Sequence, residues 1–234
     1  ISLLERVAES MAKTSRDAGV SIVAGDTKVV EGKGEGGIFI TTSGIGALFT
    51  PRPISASRIE PGDAILINGS IADHGMAIMA AREELSFTSD IASDCASLAA
   101  LAETLAAAVP ELRFMRDATR GGLAAVLNES VEGGAFGIEI EENAIPLNES
   151  TAAACELLGL DPLSVANEGK LVAFVPEKGA KLALATMRAH PLGHRAAIIG
   201  RATAEDAGRV TLVTSVGTRR LVAMPLGSLL PRIC

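Results

Sequence analysis

From residue 64 onward the sequence alternates short apolar runs of strand length with longer stretches of helical periodicity, and this constrains the fold more than any other feature. Strand-like runs lie at 64–70 (AILINGS), 137–140, 170–175, 197–201, 209–213 and 219–222, and helical stretches at about 74–85, 97–109, 121–131, 150–158 and 178–189. An amphipathic helix and a strand each carry a face that must leave water, and layering helices on a sheet buries both. The expected class is α+β, in α/β sandwich layers, with a mixed sheet and helices on one face.

The preceding part reads differently. Residues 3–18 keep a helical period, with Leu4, Val7, Ala8 and Met11 on one face, and Gly19 ends it. VSIVAGDTKVVEG and GGIFITTSGIG then alternate as strands do, on either side of the charged glycine-rich turn EGKGEGG. TPRPISASRIEPGD, with three prolines, is the linker. Three segments are therefore expected: the rear part of one domain in residues 1–55, an α/β domain in 56–222, and a tail in 223–234 with two prolines and no regular period. The chain opens on Ile1, already inside a helix with an apolar face, so a longer protein is expected in front of it.

Composition removes several functions. With 21 basic and 28 acidic residues the net charge is −7, and Trp and Tyr are absent, so polyanion binding and base stacking are both disfavoured and no nucleic-acid partner is expected. The longest uncharged stretch, residues 36–51, is shorter than the roughly 18–20 residues of a membrane span, and no basic leader precedes an apolar core. A cytoplasmic protein without a membrane segment is expected. The three cysteines, Cys95, Cys155 and Cys234, form no CxxC pair; the first two lie in apolar, helix-like surroundings where a free thiol packs as a small hydrophobe.

Four places carry residue types suited to chemistry. Asp26, Thr27 and Lys28 end an apolar run, where they could face a metal-bound phosphate or form a polar turn. Asp117 and Thr119 precede the pair Gly121–Gly122 at a helix start, suited either to an anion with its cation or to an N-cap with close packing. No GKS or GKT follows, so this is not a P-loop. His74, in ADHG, is a phosphate contact, a proton carrier or part of a capped helix entrance, and Glu168 before a buried run is a base or a turn residue. Cys234 closes a proline-stiffened segment, where a thiol can visit both a partner and a distant cleft, or stand there by accident.

Taken in order, AGDTKVV, TSGIG, ADHG, SDCASL, RDATRGG, ANEGKLV, HPLG and the final PRIC resemble the HypE family of hydrogenase maturation factors. That family belongs to a superfamily with aminoimidazole ribonucleotide synthetase, selenophosphate synthetase and thiamine-monophosphate kinase. The likeness covers essentially the whole chain, PRIC being its most specific element. Members carry roughly a hundred further residues in front, with an ATP- and metal-binding segment that this sequence lacks.

The resemblance implies an ATP-dependent carbamoyl dehydratase. A partner carbamoyltransferase loads the thiol of Cys234, ATP drives dehydration of the S-carboxamide to an S-thiocyanate, and the nitrile passes to an iron-carrying maturation scaffold as a cyanide ligand of [NiFe] hydrogenase. Residue by residue it makes Cys234 the carrier, Lys28 and Glu168 the groups that handle amide protons, Asp117 a ligand of Mg2+ or ATP, and Asp26 and Thr27 ATP contacts. A homodimer is implied for the full-length protein. Two other readings stand beside it: a non-catalytic carrier or docking fragment, and another ATP-dependent enzyme of the superfamily.

Overall fold

In the computed structural model, residues 2–29, 38–82 and 90–225 are described, and the chain divides into two compact units, Ile1–Phe49 and Thr50–Cys234. In the first unit α1 (Ser2–Asp17) forms as its periodicity predicts, with no buried residue. The strands expected in VSIVAGDTKVV and GGIFITTSGIG are not formed in the described residues there. A strand exists only through ladder partners, and those segments have none within the described part of the unit. Their apolar side chains stay exposed: Val23, Val29, Phe39, Ile45 and Leu48 all face solvent.

The second unit is built on a seven-stranded mixed sheet, ordered β2-β4-β1-β5-β3-β6-β7. The strands are β1 (Ala64–Ile67), β2 (Phe114–Asp117), β3 (Gly137–Glu141), β4 (Leu171–Val175), β5 (Ala197–Thr203), β6 (Val210–Val213) and β7 (Arg219–Leu221). All neighbours are antiparallel except β3 and β6. The helices are α2 (Asp73–Ala81), α3 (Ala99–Ala108), α4 (Gly122–Val131), α5 (Glu149–Leu158) and α6 (Glu177–Ala189).

Helices cover both faces of this sheet, not one. Ile65 and Ile67 point into a core with Met76 of α2, Leu123 and Leu127 of α4 and Cys155 of α5, while Ala64 and Leu66 point into a second core with Leu101 and Leu105 of α3 and Ala183 and Met187 of α6. The reason is legible in β1 and β4, where AILI and LVAFV are buried at every position, as strands covered on two sides must be.

Two further departures are local. Strand β2 (FMRD) escaped the sequence reading because only two of its four residues are apolar; it is an edge strand whose Arg116 and Asp117 are exposed. Cys95 is exposed in an irregular segment, whereas Cys155 is buried in α5 as expected.

Candidate active site

Register sets the site. In the β2–β4 ladder Asp117 pairs with Leu171, and Ala118 N–H donates to the Lys170 carbonyl at 3.0 Å. The end of β2, carrying Asp117, therefore lies beside the turn 167–170 that enters β4 and carries Glu168. Asp117 is exposed, and no described side chain pairs with its carboxylate. Glu168 is half-buried.

Asn167, fully buried, locks these elements together. Its Oδ1 accepts from Ala72 N–H at 2.8 Å, and its Nδ2 donates to the carbonyls of Ala118 at 2.9 Å and Val165 at 3.2 Å. One amide thus joins the start of α2, the end of β2 and the segment before Glu168. Ala72 has φ of 71°, a left-handed conformation unfavourable for alanine by about 1 kcal/mol, and its bond to Asn167 helps to hold it there.

Beyond Ala72, Asp73 spends its carboxylate on Asn148 Nδ2 and on Thr151 Oγ1 at 2.6 Å, tying α2 to α5. His74 is 8% exposed, and its Nδ1 shares a hydrogen bond of 2.8 Å with Ser93 Oγ. That bond occupies one ring nitrogen and joins α2 to the segment 90–98.

After Asp117 the chain turns through Gly121 and Gly122, with φ of 69° and 59°. A Cβ on Gly122 would overlap the Val165 carbonyl oxygen, and one on Gly121 would come within 3.6 Å of Pro225 Cγ. Gly122 thus permits close packing against the segment before Asn167, while Pro225, at the root of the tail, lies at ordinary contact range of Gly121. Val222 is buried, and its carbonyl accepts from Asn128 Nδ2 of α4 at 3.0 Å. Residues 222–225 therefore run along α4 to its start, next to the Asp117 turn.

Asp117, Glu168, His74 and the tail root all belong to the second unit. Asp26, Thr27 and Lys28 belong to the first, where they are exposed in a stretch without regular secondary structure. Cys234 lies outside the described residues. A cleft of about 390 Å³ in the second unit, lined by Ala56, Ile59, Ser130 and Phe136 among others, holds none of the candidate residues. The sequence reading assigned no role to Asp94, Lys170 or Asn128, whose contacts span 74, 76 and 94 positions; only the presence of Asp94 in SDCASL and Lys170 in ANEGKLV hinted at them.

A single exposed carboxylate beside a helix start does not make a closed metal cage, and the described residues contain no group of three or more acidic, His or Cys side chains placed for one. It does suit Mg2+, which takes one or two carboxylates and completes its shell with water and phosphate oxygens.

Residues 60–213 match the family described as AIR synthase related protein, C-terminal domain. The carbamoyl dehydratase HypE of Rhodobacter capsulatus is 50% identical across the whole of this chain, which spans 69% of that relative's length. The chain belongs to the HypE family. A crystal structure of the hydrogenase maturation protein HypE in complex with ATP superposes with a TM-score of 0.86 at 43% identity, over all of this chain and 71% of that one. A HypE–HypF complex matches with a TM-score of 0.84 at 42% identity, over 95% of this chain and 72% of that one. Family members thus include one solved with ATP, in line with the nucleotide that the resemblance implies, and one solved in complex with HypF. Among the described residues no helix is long and apolar enough to cross a membrane.

Proposed function

We propose that this chain, as part of its full-length protein, dehydrates a carbamoyl group carried on Cys234 to a thiocyanate at the expense of ATP, supplying cyanide for the iron of [NiFe] hydrogenase. The observation that supports this most directly is the convergence of Asp117, Glu168 and the tail root at one end of β2 and β4. Cys234 follows Pro225 by nine residues, a reach of up to about 30 Å, enough to bring the thiol to that edge.

The carboxamide Cys–S–C(=O)–NH2 must lose its oxygen and two protons to become Cys–S–C≡N. ATP supplies the acceptor for that oxygen, which departs as phosphate with ADP as the other product. Glu168 takes a proton from the amide nitrogen, and Lys28 orients the carbonyl or relays the second proton. Asp117 would hold Mg2+ against the phosphate oxygens, and Asp26 and Thr27 would contact the nucleotide. A carbamoyltransferase, the role we assign to the HypF partner, loads the thiol. The nitrile leaves to an iron-carrying scaffold complex, and the full-length protein is a homodimer in the cytoplasm.

Mass spectrometry of the peptide containing Cys234 tests this, after incubation of the full-length protein with the carbamoyltransferase, carbamoyl phosphate and ATP. Carbamoylation of Cys234 followed by ATP-dependent loss of one water is expected, and Glu168→Gln should be carbamoylated without losing water. Wild-type turnover by Cys234→Ala would overturn the reading. Carbamoylation that never proceeds to water loss would instead mark a carrier.

A further inference from the structure

The segment 93–95 grips the turn that presents Glu168 more closely than a passing loop needs to. Asp94 Oδ1 accepts from the Glu168 backbone N–H at 3.0 Å, and its Oδ2 pairs with Lys170 Nζ at 2.6 Å. Its main-chain carbonyl lies so near Gly169 that a Cβ there would overlap it. One residue thus fixes three consecutive positions, 168, 169 and 170. Both side chains of the ion pair are about nine-tenths buried, Lys170 at 10% exposure and Asp94 at 7%.

The other end of the segment is anchored as firmly. Ser93 Oγ bonds His74 Nδ1 and accepts from Cys95 N–H at 3.2 Å, so residues 93–95 bridge the start of α2 and the Glu168 turn. Burying two charges costs several kcal/mol per ion before their attraction and hydrogen bonds offset it, so such a pair is weak evidence for stability as its purpose. Its geometry serves placement: the carboxylate holds the main chain of Glu168, and Lys170 holds the carboxylate.

We propose that Asp94 is the positioning residue of Glu168, and that Lys170 keeps Asp94 in register for that task. The proposal rests on the reading of Glu168 as proton acceptor. The Glu168 carboxylate hangs from a main chain fixed on one side by Asp94 and on the other by the fully buried Asn167. Freeing the first bond lets the turn shift by a fraction of an ångström while ATP binding and loading of the thiol continue.

The test uses the full-length protein, preloaded by its carbamoyltransferase, with single-turnover water loss at Cys234, ATP affinity and the amide proton shift of Glu168 as readouts. Asp94→Ala should slow water loss by about tenfold or more with ATP affinity unchanged, since small misplacements of a reacting group cost that much. Asp94→Glu keeps the charge but displaces the acceptor, and should also be slow. The neutral pair Asp94→Asn with Lys170→Gln can rebuild both hydrogen bonds, and should recover the rate together with the Glu168 amide shift. A folded Asp94→Glu protein turning over at the wild-type rate overturns the proposal, as does a double variant that regains the amide shift but stays slow. Glu168→Gln separates the two levels: if it dehydrates normally the reading of Glu168 fails first, and if it is inactive while Asp94→Ala and Asp94→Glu are fast, only the positioning role fails.

Discussion

The side-chain amide of Asn128 donates to the Val222 carbonyl at 3.0 Å, fastening the root of the Cys234-bearing tail to α4. The same amide donates to the Ala124 carbonyl at 2.8 Å, so both of its protons are used. Asn128→Ala removes both bonds and should cost about 2 kcal/mol of stability, at the usual net worth of about 1 kcal/mol for each. On the proposed function, a less firmly held Val222 carries the segment that leads to Cys234 less well placed, and delivery of the thiol should suffer. The expected result is near-normal carbamoylation with water loss slowed several-fold, read by mass spectrometry over time.

Asn167→Ala strips partners from Ala72 N–H and weakens bonding to the Ala118 and Val165 carbonyls in a buried setting. Each buried group left unpaired costs about 1–3 kcal/mol, so a loss of about 3 kcal/mol or more is expected. In a chain of this size that lowers Tm by about 10 °C. Calorimetry checks it, and a Tm within 2–3 °C of wild type, roughly the shift of one kcal/mol, would show that water replaces the amide.

Gly122 and Gly159 both adopt left-handed φ, of 59° and 66°, but a Cβ meets the Val165 carbonyl at the first and nothing within 4 Å at the second. Gly159→Ala should therefore cost about 1 kcal/mol from backbone strain alone. Gly122→Ala adds a collision with rigid backbone and should cost about 3 kcal/mol or more. Paired urea denaturation curves measure the difference, which disappears if the segment before Val165 gives way.

Burial pushes the Cys155 thiol from 9.0 up to about 11, with Asp161 and Asp73 adding to the rise. Since the folded value lies above the unfolded one, the stability linked to this group is complete below pH 9 and is lost as pH rises through 9 to 11. The loss amounts to about 2–3 kcal/mol, and Cys155→Ala should flatten that part of the stability profile. In the native protein at pH 8, iodoacetamide should alkylate exposed Cys95 well before Cys155, and Cys155 only once the protein unfolds.

Elements whose signal is local were readable in the sequence. The helices α4 and α6 and the strand β4 lie within one residue of their expected bounds, because periodicity and flanking glycine or proline specify them without outside help. Strand β2 was not readable, since FMRD carries no such pattern and exists through its register with β4. In the first unit the reverse holds: VSIVAG and FITTSG have the alternation of strands but no ladder among the described residues.

The sequence by itself determined most of the elements of the second unit and the family, because hydrophobic periodicity and motif order are properties of the chain. Only the tertiary structure decided that helices close both faces of the sheet, that Asp117 comes to lie beside the Glu168 turn, and that Asp94 holds that turn from 74 residues away. Those facts are pairings between distant segments, fixed by which apolar faces and buried polar groups satisfy one another once the chain is packed.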